Sequence, residues 1–448
     1  MADPSTRPRR DGWRYALAAA MAVIVALVVA HVTARPSSRL TLWHVWGGAR
    51  SQLFADLIAR FHAENPGVRV DAVFIPPDLI HDQLLAAARS DSLPEVVGIH
   101  TDWLGEFEAG ALLAPLDALA GAAVAGVRTQ DLERNRVGGT LVALPNTVAG
   151  GMAQLYVNRR LADAAGLDAD QRLPRRWAAF TAASAQIVRA HNRDDVLRVI
   201  AWDPFIEPTI LAWLAFCFGA DAPTVSVDGR RSLIATPGVR RVMDAIDAYV
   251  AEVYGRHDGW RGLLRWRQEI AGFLANADQI RPFARDLQAF ALQGVWTTTL
   301  IRAADPDLPW EVGPLPGLDR AHGGVAAQGW SYAMRRDRAD DPAAWALLRW
   351  LTIDPAGNGA FCIAQARPSP LTALDHDPGY ATSGPAWPAM AAVLALDIPH
   401  PGSLHGHVLG PMLNEIPARR ASGEPMQQIV DDLDRRYQAH LDLLARAP

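Results

Sequence analysis

Two short segments set an indole beside polar side chains: Trp46-Gly47-Gly48-Ala49-Arg50 and His100-Thr101-Asp102-Trp103. An indole offers a flat apolar face, and the neighbouring Arg or Asp can donate or accept hydrogen bonds, so both segments are equipped to hold a small polar molecule. Bond-breaking chemistry finds less support. Gly329-Trp330-Ser331-Tyr332-Ala333 approaches a nucleophile elbow but lacks its last Gly and the strand, nucleophile, helix context. His405-Gly406-His407 supplies two imidazoles without a third ligand at fitting spacing, and satisfied or exposed histidines are the better reading. Gly47-Gly48 and Gly138-Gly139 come without a phosphate-loop Lys. The two cysteines, Cys217 and Cys362, are too far apart for a metal or redox motif and read as buried thiols with no disulfide expected.

The elements that must position these residues alternate. Leu40, Leu42 and Trp43 to Trp46 read as a buried strand ending at Gly47-Gly48. Leu53, Leu57, Ile58 and Phe61 recur at helical spacing until Asn65-Pro66-Gly67. Val68, Val70, Ala72 and Phe74 alternate as a second strand, Leu79 to Ala88 suits a helix, and Glu95 to Ile99 a third strand. Such alternation implies a parallel sheet with ligands beyond the carboxyl ends of its strands, where both indole segments fall. Leu141 to Asn158 suits an extended crossing into a second mixed body. There Leu161 to Gly166, Trp177 to His191 and Pro237 to Tyr254 have helical character, and Leu197 to Trp202 reads as a strand. Pro342 to Leu351 and Met426 to Ala445 read as late helices, while Gly255 to Asp286 resists placement.

At 448 residues the chain has room for two lobes. Its net charge of -5 argues against a nucleic-acid partner. Arg7, Arg9, Arg10 and Arg14 precede the apolar run Tyr15 to Ala30, and Val32-Thr33-Ala34 offers a cleavage site, so residues 1–34 read as a Sec-type export signal or an uncleaved membrane anchor. Either way the body lies outside the cytoplasm.

Several separated segments together resemble the family 1 extracellular solute-binding proteins of ABC importers, the group that includes maltose-binding protein. They begin with Leu40-Thr41-Leu42-Trp43 and Phe61-His62-Ala63-Glu64-Asn65-Pro66-Gly67-Val68. Leu93-Pro94-Glu95-Val96-Val97 and Gly110-Ala111-Leu112-Leu113-Ala114-Pro115-Leu116 follow, then Leu155-Tyr156-Val157-Asn158 with Ala165-Gly166-Leu167. Gly294-Val295-Trp296, Trp310 to Gly317, Ala343-Ala344-Trp345 and Asp354-Pro355 complete the order. One departure is Val157-Asn158-Arg159 where the family has Tyr-Asn-Lys.

The resemblance implies an α/β, two-lobed periplasmic-binding-protein-like fold with mixed sheets, flanking helices and hinge crossings near Asn146 and Gly323. It implies a first lobe of 40–146 plus 322–372 and a second of 147–321 plus 373–448. Carried over by position, the ligand-binding residues would be Trp46, Arg50, Asp102 and Trp103 in the first lobe, with Asp203, Phe205, Glu207, Trp296 and Trp330 around the cleft. His405 and His407 fall in a late segment that faces ligand in relatives. The implied function is capture of a carbohydrate and delivery to ABC importer membrane subunits, by a monomer without cofactor, metal or catalytic residues. A membrane-tethered sensor of the same fold, binding of glycerol phosphate esters or other small polar solutes, and an exported glycan hydrolase using Asp102 and Glu207 are the alternatives.

Overall fold

The structure is a computed structural model that describes Met21 and residues 38–147, 154–205, 223–226, 230–270, 280–295, 297–319, 329–383, 387–394 and 406–444. The first sheet is built on β1 (Ser38–His44), in which Leu40, Leu42 and His44 alternate inward. A short turn leads from it into α1 (Ser51–Glu64), which buries Phe54, Leu57, Ile58 and Phe61 on one stripe. Asn65 ends that helix: its backbone N–H and its Nδ2 both donate to the Phe61 carbonyl, at 2.8 and 3.0 Å, just before Pro66. β2 (Val68–Phe74) then pairs parallel with β1, α2 (Ile80–Arg89) follows, and β3 (Val96–His100) lies parallel on the other side of β1.

A small hairpin of β4 (Arg136–Val137) and β5 (Thr140–Leu141) precedes β6 (Leu144–Pro145), after which the chain passes to a second body. That body is organised on an antiparallel sheet, with β7 (Gln154–Asn158) at its centre between β8 (Phe290–Gln293) and β9 (Trp310–Gly313). The return strand β10 (Trp330–Met334) re-enters the first sheet antiparallel to β3, and the order there is β2-β1-β3-β10-β6. The first sheet is mixed and the second antiparallel, and flanking helices make both bodies α/β.

The helices read from periodicity lie where the pattern puts them. In the second body α3 (Trp177–His191) and α4 (Pro237–Tyr254) pack so that Phe180 and Tyr249 stack at 5.7 Å and 13°. The stretch without a clear pattern contains a turn at Gly255–His257 and α5 (Gly259–Glu269). Further along, α6 (Pro342–Thr352), a π-helical turn at Pro355–Gly359 and α7 (Ala360–Ala364) support the first sheet. The last helix, α8 (Met426–Leu444), buries Ile429, Val430, Leu433, Tyr437 and Leu441 in the second body's core.

Two strand readings need correction. Leu197 to Trp202 forms only a single parallel bridge, Ile200 to Gln288. Backbone hydrogen bonds join Ile200 to Leu287 and Ala289 and the Ala201 carbonyl to Phe290, and the Tyr254 hydroxyl takes further backbone groups, accepting from the N–H groups of Ala201 and Trp202 and donating to the Trp202 carbonyl. Val45 and Trp46 lie past the end of β1, because the Trp46 N–H turns to the His44 Nδ1 at 3.2 Å and the Gly47 N–H to the Val45 carbonyl at 3.1 Å. Gly48 then adopts φ +60°. This bend carries Trp46 and Arg50 out of the sheet plane.

Among the described residues, buried apolar side chains fall into three clusters. One contains the first sheet with residues up to Leu371, and a larger one contains the second body with the C-terminal helices. A smaller one joins Tyr156, Phe283, Ile301 and Val312 to Tyr380 and Trp387.

Candidate functional site

The carboxyl ends of β1 and β3 and the start of β10 meet at one edge of the first sheet. Because β10 is antiparallel to β3, Trp330 stands directly opposite His100. The Trp103 ring meets Trp330 edge-on at 5.5 Å and 83°, and His100 approaches both rings, 5.5 Å from Trp103 and 5.3 Å from Trp330. Trp330 keeps part of its surface exposed, whereas Trp103 is buried. Asp102 is also buried, with the His100 Nδ1 at 3.5 Å. Burial raises its pKa, and the imidazole offsets part of that effect. Three rings and an underused carboxylate thus form a corner suited to a ring with apolar faces and hydroxyl edges.

Beside this corner, at the end of β1, Trp46 is fully buried and its Nε1–H donates to the Tyr332 hydroxyl at 2.9 Å. Its ring is approached by two guanidinium groups, Arg50 at 5.2 Å and Arg367 at 5.1 Å. Trp46 therefore serves as a support for cations rather than as an exposed stacking face. In the second body, β7 carries Tyr156, whose hydroxyl donates to the Gly294 carbonyl at 3.1 Å. Among the described residues, Gln154 Nε2 and Thr297 Oγ1 are buried without a hydrogen-bond partner. Unpaired buried polar atoms are costly, so such a group calls for a guest or ordered water.

Trp46, Arg50, Asp102, Trp103 and Trp330 are thus gathered along one sheet edge. Two of the expected residues belong to a different setting. The Asp203 carboxylate is buried and engaged by the Arg267 guanidinium and by the Phe205 N–H, so it anchors α5. Phe205 is buried in the second body's core against Trp260. Both are structural in this conformation, for the physical reason that their polar and apolar surfaces are already satisfied. Glu207, Trp296 and His405 lie outside the described residues, as do Gly323 and Cys217, and the side chain of His407 is likewise not described.

The sequence reading put His100 inside a candidate segment without giving it a role, and it missed Arg367 and Phe74. Phe74 was counted as one more inward residue of an alternating strand. Instead it is 46 % exposed, and its ring lies so close to Gly47 that any side chain there would collide with it. His100 follows a buried strand and bore no motif, while Arg367 meets Trp46 only through the fold.

Ser331 is buried within β10 rather than on a turn, which removes the nucleophile-elbow geometry. Among the described residues no group of three or more His, Cys, Asp or Glu side chains could hold a metal ion. Cys362 is a buried free thiol, pushed by burial up to about 12 and so unreactive. A cavity of about 380 Å³ beside Arg419, Glu424 and Asp432 is lined by side chains already paired with one another, as in the Arg419 pairs to Glu424 and Asp432.

Comparison with known proteins gives a consistent picture. The model of the bacterial extracellular solute-binding protein family matches residues 48–357. No curated protein matches the chain. Among solved structures, the GacH receptor of Streptomyces glaucescens GLA.O, studied unliganded and with acarbose, is 18% identical with a TM-score of 0.70, covering 92% of this chain and 99% of its own. The sugar-binding protein MalE from Xanthomonas citri is 21% identical with a TM-score of 0.68, covering 92% of this chain and 100% of its own. The cyclic alpha-maltosyl-1,6-maltose binding protein from Arthrobacter globiformis is 19% identical with a TM-score of 0.71, covering 90% and 98%. At these identities the likeness establishes the fold, the α/β periplasmic-binding-protein arrangement.

Proposed function

The chain belongs to the bacterial extracellular solute-binding protein family, and on that premise we propose that it captures a saccharide between its two lobes and hands it to the membrane subunits of an ABC importer. Proteins of this family bind their solutes without transforming them. The observation that carries the saccharide reading is the Trp103, Trp330 and His100 corner with its buried Asp102. An aromatic wall contacts the C–H faces of a sugar ring, and a carboxylate accepts from adjacent hydroxyls. Relatives of the same fold add support, since the solved structures include receptors studied with acarbose and with mannotriose. Phe74, exposed at the end of β2, extends the aromatic rim.

The lobes in this reading comprise 40–146 plus 322–372 and 147–321 plus 373–448, with closure driven by a ligand that touches both. Residues 1–34 carry the protein through the Sec route to the extracytoplasmic side. The apolar run Tyr15 to Ala30 also supports a second reading, a tethered sensor. Sequencing the mature N-terminus separates the two: a start beyond Ala34 means a released carrier, and an intact leader means an anchored domain.

The test is calorimetric titration with maltose, maltotriose, mannobiose and mannotriose, repeated with Trp103→Ala. A sugar that binds, with affinity reduced on the order of tenfold in the variant, supports the reading, because one aromatic contact is worth roughly 0.5–1.5 kcal/mol beyond its buried area. Full affinity after loss of Trp103 would move the site elsewhere.

A further inference from the structure

The two guanidinium groups at Trp46 are not explained by a neutral sugar. Arg367 is 4 % exposed, its Nε is buried without a partner, and among the described residues its guanidinium neither donates a hydrogen bond nor meets a carboxylate at ion-pair distance. Arg50 is half-buried and likewise has no side-chain partner among the described residues. Both charges contact one indole, so they lie no further apart than those two distances combined and repel each other. Elsewhere in the molecule arginines are paired freely: Arg172 with Glu311, Arg267 with Asp203, Arg420 with Asp247. In a chain of net charge -5, two neighbouring guanidiniums without a carboxylate at ion-pair distance among the described residues mark a place where the counter-charge comes from outside.

Position points the same way. Arg50 ends the turn after β1, beside the aromatic corner, and Arg367 follows α7 where the first body gives way to the second. The charge of Arg367 reaches the Tyr156 phenol on the central strand of the second sheet. Burial, and then the neighbouring Arg50 charge, press the Arg367 pKa down to about 9, which leaves it cationic at neutral pH but without compensation.

We propose that Arg50 and Arg367 form an oxyanion site within the cleft, so that the natural ligand is an acidic saccharide whose carboxylate or phosphate group sits between the two guanidinium forks while its ring meets the aromatic corner. A planar guanidinium matches either oxyanion bidentately, and a desolvated site strengthens that contact. The proposal rests on the saccharide reading above and narrows its substrate class.

The full-length protein is titrated with galactose, galacturonate, digalacturonate, glucose, glucose 6-phosphate and inorganic phosphate, alone and as Arg367→Gln and Arg50→Gln. The expected result is that an acidic member binds more tightly than its neutral counterpart. Each variant then loses on the order of ten- to a hundredfold for the acidic member and little for the neutral one. The uronate and phosphate arms tell which oxyanion is recognised. A neutral sugar that binds as well as its acidic counterpart overturns the oxyanion site and leaves saccharide capture standing, whereas no binding by any sugar removes both. Inorganic phosphate binding as tightly as glucose 6-phosphate overturns the saccharide half. The unliganded Arg367→Gln protein should melt higher than the parent, since an uncompensated charge has gone. A lower melting temperature, or failure of Arg367→Gln to fold, shows that this guanidinium also supports the fold and leaves the decision to Arg50→Gln on its half-buried turn, where an unchanged affinity for the acidic member overturns the proposal.

Discussion

His44 shows how burial alone sets a residue's chemistry in this protein. Its ring stacks on Phe54 at 3.9 Å and its Nδ1 accepts from the Trp46 N–H, which fixes the neutral tautomer. Burial lowers its pKa from 6.5 to about 4. Between those values an unfolded chain takes up a proton that the folded chain refuses, so the stability His44 contributes is complete above about 6.5 and is lost as pH falls toward about 4. Urea unfolding at successive pH values should show this acid slope, at most about 1.4 kcal/mol per pH unit from one site. His44→Gln should flatten it, and an unchanged slope would place the acid sensitivity elsewhere. His44 is also a positioning residue, because the hydrogen bond that holds it neutral starts the bend that presents Trp46.

Among the elements, the π-helical turn Pro355–Gly359 does most to fasten the site edge. Asp354 caps it through the N–H groups of Ala356 and Gly357, and the Asn358 amide donates to the carbonyls of Asn146 and Leu351 at 2.6 and 3.0 Å. The Asn146 N–H donates to the Trp330 carbonyl and its own amide to Leu351, so the outgoing crossing and the return strand are tied to one turn. Gly357 permits this by lying flat on α6. A Cβ there would stand 2.3 Å from the Trp350 carbonyl oxygen and 2.7 Å from its ring. Gly357→Ala should therefore destabilise the protein by about 1–3 kcal/mol through overpacking. Gly105, where a Cβ meets nothing within 4 Å, should accept Ala without loss. Melting temperatures of the two variants check the contrast, and equal values would mean that the turn yields without cost. Because α7 and Arg367 follow directly, the Gly357 variant should also weaken ligand binding.

At the scale of the molecule, the proposed capture of a saccharide between two lobes predicts that the two bodies approach when it binds. Asn146 is held to the first body, its amide donating to the Leu351 carbonyl and its N–H to the Trp330 carbonyl. Small-angle scattering is expected to report a smaller radius of gyration at saturating ligand, and an unchanged profile with a bound sugar would mean that recognition needs no closure.

How much of this was legible in the sequence depends on the range of each interaction. Helical periodicity marked α3 and α4 to the residue, and the Asn65-Pro66-Gly67 stop ended α1, since both signals are local. Loop segments after β1 and β3 were marked as ligand loops because an open sheet presents its carboxyl ends. Leu197 to Trp202 misled, because only Ile200 and Ala201 pair with residues 287–290 while a tyrosine hydroxyl takes the N–H groups of Ala201 and Trp202, and no periodicity records that. Asp203 misled for a similar reason, its charge being answered by Arg267 on a helix whose own pattern was unclear.

The sequence by itself determined the alternating α/β plan, the family and the chemistry available at each strand end, because these reside in neighbours along the chain. Only the tertiary structure decided which indole keeps part of its surface exposed and which carries two cations, and which carboxylate is already answered. Trp46 and Arg367 are brought together by folding alone, and whether a buried charge has a partner is a property of space rather than of order along the backbone.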